Sequence, residues 1–225
     1  MGFNEKIHEN IQQIIKATSD ELHQARTRQI KAIPKHKLAS INCAQGQLLS
    51  NRDELIKKMP SMGVVAELGA DKGEFSSKIL EIVKPRKLHI IDAWHTERYD
   101  DHKAKYVAQL FREQVAFGQV DLIRSLSVDA AKQFKDSYFD WIYIDTDHSY
   151  DTTLAELLAY ERTIKKEGFI CGHDYVMGNW ITGYKYGVIE AVAEFCVMRN
   201  WRLAYLTTDF TENNSFALAR INSAA

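Results

Sequence analysis

The chain has 225 residues, 45% hydrophobic and 26% charged, an ordinary composition for a soluble globular protein and long enough for one large core. Its formal net charge of -1 supplies no general basic field, which argues against nucleic acid or an anionic membrane surface as the partner. Cys43, Cys171 and Cys196, odd in number and far apart, fit reduced thiols in a cytoplasmic protein better than a disulfide frame or a zinc site.

In chain order, the start Met1-Gly2-Phe3-Asn4-Glu5-Lys6 has neither an apolar signal core nor the Ser/Thr of a myristoylation site, and no later run reaches the ~18 apolar residues of a membrane span. Ile7, Ile11, Ile14, Ile15 and Leu22 then recur at helical spacing between Asn4 and about Ile33, against a face of Gln, Lys, Glu and Arg. Pro34 should interrupt this amphipathic helix or helix pair. Asn51 to Met59 reads as another helix, capped by Ser50 or Asn51 and stopped by Pro60. The expectation is a helical extension over residues 1–60 and a ligand-binding domain over 61–225. The extension is either packed on its own domain or a dimer arm or substrate lid.

From Val64 the pattern alternates strand and helix. Strands are expected at Val64 to Leu68, Lys87 to Asp92, near Val120 to Arg124, at Phe139 to Asp145 and at Phe169 to Cys171. Helices are expected at Phe75 to Val83, Asp101 to Phe117, Val128 to Phe134 and Thr152 to Lys166, the last closed by Gly168. Such alternation requires right-handed crossovers and a mostly parallel, doubly wound α/β sheet. After a helix from about Gly187 to Arg199, Trp201 to Thr207 and Ser215 to Ile221 are joined by a link too short for a crossover helix and should pair antiparallel.

The stretch Val64-Val65-Ala66-Glu67-Leu68-Gly69-Ala70-Asp71-Lys72-Gly73 organises the rest: an apolar strand ends in a carboxylate, then in a turn with two glycines, then in a helix start. A dinucleotide fingerprint wants G-x-G-x-x-G, but Glu67 stands in place of the first glycine and Asp71 enters the turn. Carboxylates repel phosphate and suit a ligand with an ammonium group and ribose hydroxyls. The pattern E-x-G-x-x-x-G resembles the first motif of class I S-adenosylmethionine-dependent methyltransferases; an ordinary strand-to-helix turn without ligand is the alternative. A parallel sheet finished by an antiparallel hairpin likewise resembles their seven-stranded, Rossmann-like sheet.

In a doubly wound sheet the ligand lies beyond the carboxyl ends of the strands. Glu67, Gly69 and Gly73 are therefore the first cofactor candidates, and Asp92, 25 positions after Glu67 at the end of the second strand, can accept from both ribose hydroxyls. Trp94 could wall the adenine or belong to the core. Ser127, just after the third strand, could contact adenine or cap the following helix.

Two later stretches, Ile144-Asp145-Thr146-Asp147-His148-Ser149-Tyr150 and Gly168-Phe169-Ile170-Cys171-Gly172-His173-Asp174-Tyr175, look like the fourth and fifth strand ends of a group that includes metal-dependent sugar O-methyltransferases and cephalosporin hydroxylase-like proteins. That resemblance covers Val64 to about Arg220. It implies that Asp145 and Asp174 hold a divalent cation, with His173 where an acidic ligand is expected, and that His148 is the base beside Asp145. Imidazole suits Mg²⁺ less well than Mn²⁺. Alternatively both histidines only fix neighbouring loops. Trp180, Tyr184 and Tyr186 could form an acceptor wall or simply pack. The reading implied is O-methylation of a small molecule or sugar with S-adenosylmethionine; the apolar stripe of the N-terminal helices, which the core or a partner chain must cover, makes a homodimer the favoured assembly. A nicotinamide-dependent oxidoreductase and a non-catalytic nucleotide-binding module are the rivals.

Overall fold

The computed structural model describes residues 3–221. Met1 and Gly2 of the polar start, and the side chain of Ile7, lie outside the described residues. The chain begins with α1 (Phe3–Ala32), which ends just before Pro34, followed by α2 (Ser40–Cys43), β1 (Gln47–Leu49) and α3 (Arg52–Lys57). Asn51 caps α3 by accepting from the backbone N–H of Glu54, as its position before an apolar run requires.

Next come β2 (Val64–Leu68), α4 (Glu74–Ile82), β3 (Lys87–Asp92), α5 (Asp101–Leu110), α6 (Arg112–Ala116), β4 (Val120–Arg124) and α7 (Ser127–Ala130), the last continued by a 3₁₀ turn over Ala131–Gln133. The second half holds β5 (Phe139–Ile144), α8 (Tyr150–Glu161), β6 (Ile164–Gly172), the short pair β7 (Gly178–Asn179) and β8 (Tyr184–Lys185), α9 (Val188–Arg199), β9 (Trp201–Thr207) and β10 (Phe216–Arg220).

The main sheet runs in the order β1-β9-β10-β6-β5-β2-β3-β4, and only β10 is antiparallel to its neighbours. Seven of these strands are the expected doubly wound sheet with its terminal hairpin. The eighth, β1, is added parallel to β9, with Gln47 opposite Tyr205. Two core clusters cover the two faces. One packs α7, α8 and α9 through Ala130, Leu157, Tyr160, Val192 and Phe195; the other packs α3, α4 and α5 through Leu55, Ile56, Phe75, Ile79 and Val107. β2 lies between them with all five residues buried, the signature of a strand covered on both faces.

Three boundaries differ from expectation. The helix expected over Asp101 to Phe117 breaks at Phe111, which turns into the core with 2% exposure. The helix expected to reach Lys166 stops at Glu161, because Ile164 is needed as the partner of Phe139 at the start of β5. Gly168 accordingly lies within β6, where a Cβ would come within 2.6 Å of the Asp140 carbonyl oxygen. It marks a close approach of strands and not a helix stop.

Within the expected 1–60 extension, residues 47–57 are built into the sheet edge and core. α1, about 45 Å long by its 1.5 Å rise, touches the body at β8. It leaves Ile11, Ile14, Ile15 and Leu22 exposed. Among the described residues no helix is long and apolar enough to cross a membrane.

Candidate active site

The turn after β2 is held from three sides. Gly69 has φ 85, and its N–H donates to the Ile91 carbonyl at 2.8 Å. A Cβ there would collide with the backbone oxygen of Asp145, so only glycine lets the ends of β2 and β5 meet. Gly73, with φ 77, is the N-cap of α4 and sits against the Phe111 ring. Asp92 supplies the third restraint: Oδ2 accepts from the N–H groups of Ala70 at 2.9 Å and Asp71 at 3.1 Å, and Oδ1 from that of Trp94 at 2.9 Å. Of the roughly four acceptor directions of a carboxylate, three are therefore used inside the protein.

Glu67 is 1% exposed and accepts a short hydrogen bond from Ser76 Oγ. Burial pushes its pKa up to about 8, with the Ser76 bond opposing. Trp94 is 3% exposed within the second core cluster, and its Nε1 donates to the Asp71 carbonyl at 2.9 Å. Its ring is thus packing that braces the turn and not an open wall for adenine. Ser127 opens α7 but does not cap it, since Leu126 is the N-cap. Its hydroxyl donates to the buried Glu156 at 2.5 Å, which also accepts from Thr146 at 2.9 Å.

The ends of β5 and β6 bring Asp145, His148 and Asp174 together, their donor atoms all within 4.8 Å of one another. His148 and Asp174 have φ of 61 and 56, left-handed conformations rare outside turns and functional sites. His148 Nδ1 lies 2.9 Å from Asp174 Oδ2, and Asp174 Oδ1 accepts from Asn213 Nδ2 at 2.5 Å. Burial disfavours charge on His148, but its hydrogen bond to Asp174 and the nearby Asp174, Asp145 and Asp147 charges outweigh this and raise its pKa. Burial would likewise raise Asp174, and the His148 bond and charge hold it below the usual carboxylate range. Asp145, desolvated and facing Asp174, is pushed up to about 7.

His173 is not part of this group. Its N–H still bonds to Ile144 O in line with the sheet, so its side chain and that of Asp174 diverge. Its Nδ1 pairs with Ser215 Oγ at 2.9 Å and Tyr143 OH at 3.4 Å, and burial lowers its pKa to about 4. His148 replaces it as the third candidate ligand. Of the aromatic residues after β6, Tyr186 packs on the His148 ring at 4.9 Å, Tyr184 is half exposed and Trp180 is 90% exposed.

Sequence reasoning missed Arg52, which reaches the site from the first turn of α3. Its guanidinium stacks over Phe75 at 4.6 Å and lies 3.1 Å from Glu212 and 4.0 Å from Asp145. Burial opposes its charge, and Tyr143, Glu212 and Asp145 more than compensate, raising its pKa. The only available signal was the predicted cap at Asn51, which places Arg52 at a helix start.

Residues 66–175 match the model of a family described as a methyltransferase domain. A comparison with curated proteins finds no match. Among solved structures, geranyl diphosphate C-methyltransferase from Streptomyces coelicolor A3(2), determined with Mg²⁺, geranyl-S-thiolodiphosphate and S-adenosyl-L-homocysteine, is 10% identical with a TM-score of 0.58, covering 75% of each chain. A putative rRNA-methylase from Clostridium thermocellum is 13% identical with a TM-score of 0.56, over 76% of this chain and 98% of that one. The pyocyanin biosynthetic protein PhzM is 12% identical with a TM-score of 0.57; the match covers 75% of this chain and spans about half, 53%, of PhzM. At these identities the likeness is one of fold.

Proposed function

With residues 66–175 identified as a methyltransferase domain of the class I, S-adenosylmethionine-dependent kind, we propose that this chain transfers a methyl group to an oxygen of a small molecule or sugar. The observation that carries the oxygen assignment is the His148–Asp174 pair. With Nδ1–H donated to Asp174 at 2.9 Å, the imidazole is fixed in ring orientation, and Nε2 is the nitrogen available to take an acceptor proton. Methyl transfer from a sulfonium needs alignment of nucleophile and methyl, and loss of the nucleophile's proton, more than acid chemistry. Glu67, Gly69, Gly73 and Asp92 shape the cofactor turn, Trp94 braces it through the Asp71 carbonyl, Ser127 stands at the start of α7 tied to Glu156, and Asp92 keeps one acceptor direction for a ribose hydroxyl.

Two carboxylates and one imidazole grouped within 4.8 Å also fit a divalent ion, with Asp145, His148 and Asp174 as ligands. Mixed oxygen and nitrogen donors suit Mn²⁺ better than Mg²⁺. Bound there, the ion would lower the pKa of the acceptor hydroxyl. Ligation through Nδ1 would replace the hydrogen bond to Asp174, so base and ligand are alternative roles for that face of His148.

A net charge of -1 favours a small acceptor over nucleic acid, free cysteines favour a reducing cytoplasm, and the exposed stripe of α1 favours a homodimer. The test is transfer of a labelled methyl group to a panel of sugars, phenols, carboxylic acids and RNA, with and without chelator, beside titrations of S-adenosylhomocysteine and NAD. Cofactor binding without transfer to any of them would favour the non-catalytic module, and NAD binding alone the oxidoreductase.

A further inference from the structure

We infer that Arg52, with the space occupied by Glu212, forms a carboxylate-binding subsite in which a ligand's carboxylate takes the place of the Glu212 side chain. The inference deepens the methyltransferase reading and rests on it for the origin of the ligand. Arg52 is anchored on its apolar side by Phe75, 4.6 Å from the ring centroid, and its side chain retains 22% of its exposure. Its Nε lies 3.1 Å from Glu212 Oε2, yet the alignment is not that of a hydrogen bond, and among the described residues this buried N–H has no partner.

An unpaired buried donor is costly and rare. A guanidinium presents five N–H groups in a planar fork that matches a carboxylate two bonds at a time. Asp145, 4.0 Å from the nearer terminal nitrogen, is too far to fill the fork.

Glu212 can give way. It lies in the connection between β9 and β10, its side chain is 30% exposed, and water would solvate it once displaced. Asp145, 4.0 Å from the guanidinium and 25% exposed, is an acidic neighbour for an ammonium group, so the amino-acid end of a ligand has a place for both of its charges. Two sources can bring that carboxylate: the amino-acid end of the cofactor, or an acidic acceptor.

The experiment titrates wild type, Arg52→Met and Glu212→Gln with S-adenosylhomocysteine, which has the carboxylate, and with 5′-methylthioadenosine, which lacks it. Benzoate added to the S-adenosylhomocysteine-saturated protein, followed by thermal shift, reports the acceptor side. If the cofactor is the source, Arg52→Met weakens S-adenosylhomocysteine roughly 10- to 100-fold, the usual weight of hydrogen bonds to a charged group, and leaves 5′-methylthioadenosine unchanged. If the acceptor is the source, the benzoate shift is lost instead. Glu212→Gln, which removes the competing charge, should tighten the same ligand several-fold.

A folded Arg52→Met that matches wild type in both arms overturns the inference. If that variant does not fold, a Glu212→Gln that binds neither ligand more tightly overturns it. Wild type that binds neither nucleoside would instead defeat the methyltransferase reading; benzoate is then titrated against the ligand-free wild type and Arg52→Met, and an equal shift in the two overturns the Arg52 subsite.

Discussion

Replacing Asp92 with alanine should cost stability before it costs anything else. The carboxylate accepts from three backbone N–H groups, at 2.9, 3.1 and 2.9 Å, two in the turn after β2 and one at Trp94. Each such bond is worth roughly 0.5–1.5 kcal/mol net, and more with a charged acceptor. Asp92 is only half-buried, so water would recover part of the loss, and the three bonds together come to about 2 kcal/mol. For a chain of this size that lowers Tm by ~4–8 °C.

The loosened turn should also weaken S-adenosylhomocysteine by about tenfold. Asp92→Asn, which keeps one acceptor oxygen for Ala70 and Asp71 but turns an amide towards Trp94 N–H, should fall between alanine and wild type. Thermal unfolding followed by circular dichroism, paired with calorimetric titration, measures both quantities. An Asp92→Ala protein with the wild-type Tm would refute the bracing role, and loss of affinity alone would make Asp92 a pure ligand contact.

Other outcomes can be set beside this one. If His148 is the base, kcat/KM should rise with pH through its raised pKa, above 6.5, and through the Asp145 ionisation at about 7; His148→Gln should flatten the limb and cost ~10²–10⁴-fold in rate. Asp174, whose folded pKa is depressed below 3.8, contributes stability that is present above 3.8 and lost as pH falls through the lowered value. The raised His148 contributes stability below 6.5 that is lost as pH rises through its folded pKa. Asp174→Asn should therefore flatten the acid side of a Tm-against-pH curve. Gly69→Ala should cost about 3 kcal/mol or more by urea unfolding, from left-handed strain and the collision with Asp145. Ile14→Asp with Ile15→Asp, at positions 64% and 56% exposed, should leave Tm within about 1 °C and, if α1 joins two copies, halve the mass seen by light scattering.

The strand ends were readable from the sequence because burial and chemistry there write in different letters. Val64 to Leu68, Lys87 to Asp92 and Phe139 to Ile144 are apolar runs closed by carboxylates, and each forms a strand within a residue of the expected limits. What escaped was short or context-dependent. Three residues, Gln47 to Leu49, cannot display a period of two, so β1 is visible only through its pairing with β9. Arg162 to Glu167 has the polar character of a helix end. Yet Ile164 is β-branched, and the unfilled edge at Phe139 recruits it into β6.

The site divides along the same line. Asp145, His148 and Asp174 come from segments contiguous with the strands that present them, and a sheet with ~4.8 Å between neighbouring strands must bring them close. Arg52 and Glu212 obey no such rule: one arrives from a helix 93 positions before Asp145 and the other from a hairpin 67 positions after it, and only the packing of α3 on the sheet makes them neighbours. For Trp94 and His173 the sequence left two roles open for a related reason. A residue type near a strand end says what it can do, whereas which side of the backbone it leaves by decides what it meets. For Trp94 that is the Asp71 carbonyl and the core, and for His173 it is Ser215 and Tyr143. The positive φ of Asp174 turns the chain out of the sheet one residue after His173, and this one backbone angle separates a histidine that holds the sheet together from an aspartate that joins Asp145 and His148.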